Sequence, residues 1–138
     1  MIQLIYVSTA SRSISEDDLQ AILLTAIRHN SEKNITGLLL YDEGTFCQVL
    51  EGEEEEVHAL FSKILKDERH TNVSKIFDDQ ILTREFSSWS MTCVDLHNYD
   101  KKLINGYTNF SESRNYWNVV NPLQIKDSLK SVAYHIKD

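Results

Sequence analysis

The sequence holds one proline, four glycines and two cysteines in 138 residues. So little proline and glycine leaves no stretch that reads as a flexible linker, and no internal repeat or low-complexity tract stands out beyond Glu53–Glu56. Cys47 and Cys93 are too few and too far apart for a disulfide framework or a CxxC metal knuckle. Basic residues are in deficit: 14 Lys and Arg against 21 Asp and Glu give a net charge of −7. That balance argues against nucleic acid, whose phosphates call for a clustered cationic surface. No apolar run approaches the roughly 20 residues of a membrane span. The opening MIQLIYVSTA has no basic segment before its apolar one, so no secretory signal is read. The five histidines form no HxxxH or HExxH pair, and neither GxSxG nor GxGxxG occurs, so no metal site is expected. A chain of this length buries roughly 70% of its unfolded surface, enough for one core. The expectation is an acidic, cytoplasmic body without membrane segments.

Residues 2–9, IQLIYVST, are β-branched and aromatic enough for a buried strand. A helix follows, with Ser15 as cap, Asp18 in the capping-box position and Ile14 placed to staple onto Leu19. Leu19, Ile22, Leu23, Ala26 and Ile27 fall on one face of it. Residues 35–42 and 45–52 then read as a hairpin joined by Asp42-Glu43-Gly44. The Glu53–Glu56 run opens a second helix, where negative charge suits the dipole, and Val57, Leu60, Phe61, Ile64 and Leu65 repeat the stripe. Two more strands are expected over 72–82 and 89–96. The order β-α-β-β-α-β-β predicts a ferredoxin-like α+β sandwich with two helices on one face of a mixed sheet. The pattern restarts after residue 97, which divides the chain into 1–97 and an extension, 98–138. Within the extension, Asn121-Pro122 caps an amphipathic stripe at Ile125, Leu129, Val132, Ala133 and Ile136.

Three polar residues stand where the periodicity asks for apolar ones. Asn30 continues the first helix's buried stripe eleven residues after Leu19, and Gln48 lies between Phe46 and Leu50 on one strand face. Tyr6 shares a strand face with Ile2 and Leu4. Any one of them alone is most simply bonded to a nearby backbone group. Three together on the helix side of a sheet suggest the polar edge of a ligand in an apolar slot. Two apolar helices over a sheet can grip a flat ring between side chains such as Ile22 and Ile64.

At these residues the sequence closely resembles the BLUF family, blue-light sensors that use a flavin, over roughly residues 2–95. The motifs are LIYVS with Tyr6, RHN ending at Asn30, ITGLLLY, FCQVLEG with Gln48, DERHTNV at 67–73, and F-x-x-W-x-M at Phe86–Met91. The resemblance implies a bound flavin, FAD as the usual ligand, with FMN or riboflavin meeting the same ring contacts. It implies the ring stacked between Ile22 and Ile64, Asn30 on its imide edge, and His29, Asp67 and Arg69 near the ring and ribityl chain. Tyr6 and Gln48 match the photoactive pair, and Trp89 and Met91 match strand residues near the glutamine. Ala26 departs from the serine of some members. The extension is similar to that of short, stand-alone members, where helices pack on the sheet face opposite the flavin. Homo-oligomerisation and a downstream protein partner of unknown identity are likewise expectations from resemblance.

A glutamine carries an acceptor oxygen and a donor nitrogen, so rotating or tautomerising it reverses its hydrogen-bond polarity. A phenol beside an excited flavin can donate an electron and, through the amide, a proton. On recombination the charges vanish while the amide stays rearranged, giving a red shift without substrate turnover. The expected function is therefore non-enzymatic light sensing. The rivals are a ligand-free ferredoxin-like interaction module and a flavin-dependent enzyme.

Overall fold

The computed structural model describes residues 1–11, 15–42, 44–86 and 92–95. Within them run β1 (Ile2–Ala10), α1 (Glu16–Glu32), β2 (Thr36–Asp42), β3 (Thr45–Gly52), α2 (Glu54–Leu65), β4 (His70–Gln80) and β5 (Thr92–Asp95). This is the expected β-α-β-β-α-β-β order. The five strands form one sheet in the order β4-β1-β3-β2-β5. Pairing is antiparallel throughout except for β2 with β5, which run parallel. Both helices pack on one face.

Local chemistry accounts for the boundaries. Ser15 accepts from the Asp18 N–H while the Asp18 carboxylate accepts from the Ser15 N–H, so the predicted capping box closes at the start of α1. The proposed Ile14 staple lies outside the described residues. At the other end of α1, Asn34 takes a left-handed φ of 56°, and the Asn30 carbonyl accepts from Lys33 and Ile35. That closure fixes the last turn, which carries His29 and Asn30. Gly44, at φ 88°, supplies the positive-φ residue of the β2–β3 turn. The acidic first turn of α2 follows Glu53, whose side chain makes no capping bond. β4 starts at His70, two residues earlier than the sequence predicts, because its pairing with β1 extends to His70 opposite Ala10.

Alternation divides β1 between two faces. Ile2, Leu4 and Tyr6 join Leu39, Tyr41, Phe46, Leu50 and Val57 in a core on which Ile22, Ala26, Ile27, Leu60, Phe61 and Ile64 rest from the helices. The opposite face is buried as well, through Ile5, Val7, Leu38, Leu40, Cys47 and Val49. A fully buried carboxylate, Glu51, sits on this side. It accepts from Gln3 Nε2 at 2.9 Å and from the backbone N–H groups of Glu85 and Phe86 at 3.0 and 2.7 Å. Arg84 reinforces the join by donating to the backbone carbonyls of Glu51 and Asn34. Residues 84–86 are thereby tied to β3. The predicted extension, 98–138, lies outside the described residues.

Candidate functional site

The β1–β3 register brings the first two candidates together. Tyr6 and Gln48 are 42 residues apart in sequence and directly opposite across the strands. Tyr6 Oη donates to Gln48 Oε1, so the carbonyl end of the amide serves the phenol. Tyr6 is 3% exposed and Gln48 5%. Burial pushes the phenol's pKa far above its ordinary value, with the Asp67 carboxylate adding to it and Arg69 opposing it. The phenol is therefore protonated throughout the working pH range. Register irregularities in the β1–β4 pairing fall between Ile5 and Tyr6 and between Val7 and Thr9. Such bulges recur where a strand re-aims a side chain at a site.

Between the helices and this face of the sheet lies a cavity of about 240 Å³ with mainly apolar walls. Tyr6 and Gln48 line it from the sheet, and Ile22, His29 and Asn30 line it from α1. Ile64 reaches it from α2, and Asp67 and Arg69 from the turn beyond. The structure thus gathers in one cavity all eight residues expected to contact the ring and ribityl chain. Trp89 and Met91 lie outside the described residues.

Asn30 is 1% exposed, and neither its Oδ1 nor its Nδ2 has a hydrogen-bond partner. A buried polar atom left unsatisfied costs about 1–3 kcal/mol. A cavity wall carrying both an orphaned donor and an orphaned acceptor suits a ligand edge that alternates acceptor and donor, as the imide edge of an isoalloxazine does. The residues present therefore fit a flavin ring. Asp67 and Arg69 form a tight pair, Arg69 donating from its backbone N and its Nε to Asp67 Oδ1 at 2.9 and 3.0 Å. The hydrogen bond from Arg69 holds the Asp67 carboxyl below its usual range, and Asp67 in turn raises the guanidinium. The arginine's charge is matched locally.

Sequence reasoning assigned no role to Thr25, Lys63 or His70, which also line the cavity. Helical spacing carries the signal for the first two. Ile22, Thr25, Ala26 and His29 recur at i, i+3, i+4 and i+7, as do Leu60, Lys63, Ile64 and Asp67. His70 follows the turn and has no periodic signal.

The family model for BLUF, sensors of blue-light using FAD, matches residues 1–92. The photoactivated adenylate cyclase subunit beta of Euglena gracilis is 41% identical over 90 residues, covering 64% of this chain and 10% of its own length. The blue light- and temperature-regulated antirepressor BluF of Escherichia coli is 31% identical over 83 residues, covering 60% of this chain and 21% of its own. The chain thus spans between about a tenth and a fifth of these two relatives. Among solved structures, BlsA in its photo-activated state superposes with a TM-score of 0.77 at 30% identity, covering 93% of this chain and 91% of that one. Two sheet residues in contact, an unpartnered asparagine and a matching family model agree: this chain belongs to the BLUF family of blue-light flavin sensors.

Proposed function

We propose that the chain is a blue-light photoreceptor that turns over no substrate and holds FAD in the cavity between α1 and α2. Asn30 carries this reading, because a ring with an imide-like edge in the cavity gives both of its buried, unpartnered amide ends partners. Ile22 and Ile64 grip the ring faces, while His29, Asp67 and Arg69 stand near the ring and the ribityl chain. FMN or riboflavin would meet the same ring contacts. Trp89 and Met91 are assigned to the photoactive set with Tyr6 and Gln48 on the family resemblance.

A bound flavin supplies blue-light absorption and a one-electron sink. Tyr6 is the donor. Its phenol stays protonated, so it gives up an electron and then its proton, the proton toward the amide oxygen that already accepts its bond. Gln48 then exchanges donor and acceptor ends, and the electron and proton return to Tyr6. The two arrangements differ by about one hydrogen bond, roughly 1 kcal/mol, so the rearranged state reverts in the dark. Residues 1–97 act as the sensor, and 98–138 are the extension that passes the change to a protein partner. The setting is cytoplasmic and the assembly a homo-oligomer.

The test is purified protein supplied with FAD, FMN or riboflavin. The expected result is a yellow complex whose absorption band moves to the red in blue light and returns in darkness. Protein that stays colourless would favour a ligand-free interaction module, and NADH-dependent flavin turnover in the dark would favour an enzyme.

A further inference from the structure

His70 is held at both ring nitrogens. Its Nε2 lies 2.7 Å from the Ile64 carbonyl, which can only accept, so Nε2 carries a proton. Its Nδ1 lies 3.0 Å from the Ser8 hydroxyl, which donates to it in the neutral ring. This bracket joins the first residue of β4 to the last turn of α2 and to β1 two residues beyond Tyr6. The imidazole stands edge-on to the Tyr6 ring, with centroids 6.3 Å apart and planes at 86°.

We propose that His70, fixed as the neutral Nε2–H tautomer, is a positioning residue for the oxidation of Tyr6, permitting it when neutral and opposing it when protonated. The inference rests on the flavin reading above. In that reading Tyr6 loses one electron to the photoexcited isoalloxazine and its hydroxyl proton to the Gln48 amide oxygen, and recombination returns both. A proton added at Nδ1 keeps the bond to Ile64 but turns the Ser8 contact around, making Ser8 the acceptor. It also places a positive charge on a ring whose centroid is 6.3 Å from that of the phenol, where a departing electron is harder to remove. The other titratable or charged groups facing this space are His29 from α1, Lys63 from α2, and Asp67 and Arg69 from the following turn. Asp67 and Arg69 are matched to each other. His29 is the other imidazole lining this space, and its replacement serves as the control for His70.

The experiment measures, in FAD-loaded full-length protein, the yield of the red-shifted state per absorbed photon from pH 8 to pH 5.5. The wild type is expected to lose about five-fold or more of its yield toward acid, with flavin fluorescence rising in step. His70→Gln, neutral at every pH, is expected to hold a flat profile, while His29→Gln keeps the acid fall. Ser8→Ala removes the acceptor for Nδ1–H and is expected to move the fall to lower pH, which keeps the test informative if His70→Gln misfolds. A wild-type profile that stays flat, or an acid fall that survives His70→Gln, would overturn the proposal. Absence of flavin binding or of any red shift at pH 8 would instead overturn the underlying flavin reading.

Discussion

Burial does two things to the Tyr6 phenol: it keeps the proton on, and it aims that proton at Gln48 Oε1. Tyr6→Phe removes the donor while leaving the apolar wall intact. The variant is expected to bind flavin and stay yellow, with its reversible red shift abolished in light-minus-dark absorption. A retained normal shift would remove Tyr6 from its proposed role. Asn30 works differently, since its two amide ends are a burden until a ligand meets them. Asn30→Leu is expected to lower flavin affinity roughly 10- to 100-fold, while the flavin-free protein resists urea at least as well as the parent. Fluorescence titration and urea unfolding of the same samples check both halves. Glu51 is a buried polar residue without this tension, because three N–H groups already satisfy it. Glu51→Ala leaves those donors unmet and is expected to cost about 3 kcal/mol or more in urea unfolding.

At the scale of elements, each helix is specified by its own ends and stripe. Ser15→Ala opens the capping box of α1 and is expected to cost about 1 kcal/mol, read from the urea midpoint. The same local signals explain what was legible in the sequence. Ser15 and Asp18 mark the start of α1, Gly44 marks the hairpin, and the Glu run marks α2, each through contacts within a few residues. The interior polar positions Asn30, Gln48 and Tyr6 were legible because they break an apolar period. What escaped depends on pairing between distant segments. The early start of β4 follows from its register on β1, and His70 enters the site only once β4, α2 and β1 are assembled. Glu51 was hidden for the same reason: its partners are Gln3 and the backbone of residues 85 and 86, far away in sequence.

For the molecule as a whole, the sheet separates a polar-edged cavity on one face from a second buried apolar face. If residues 98–138 cover that second face, deleting them is expected to spare the photocycle but lower solubility or change oligomer size by sedimentation. A truncated protein that behaves like the full chain would leave the extension neither cover nor interface. Electrostatics contribute modestly to the fold. Arg69 holds Asp67 below its usual pKa. For Asp78, burial pulls upward, but hydrogen bonds from Lys75 and His58 win and hold the carboxyl low. A depressed carboxyl favours the fold above the unfolded-state pKa near 4 and loses that contribution as pH falls below it. Stability by urea midpoint is therefore expected to drop between pH 5 and pH 3, with Asp67→Asn and Asp78→Asn each flattening the drop by less than about 1 kcal/mol. The most direct measurement is a pair of absorption spectra of the flavin-loaded wild type, taken in the dark and during blue illumination, followed by a third after a dark interval. A bathochromic move of the flavin band that reverses unaided is the expected result; an unchanged band, or irreversible bleaching, would contradict a photoswitch built from Tyr6 and Gln48.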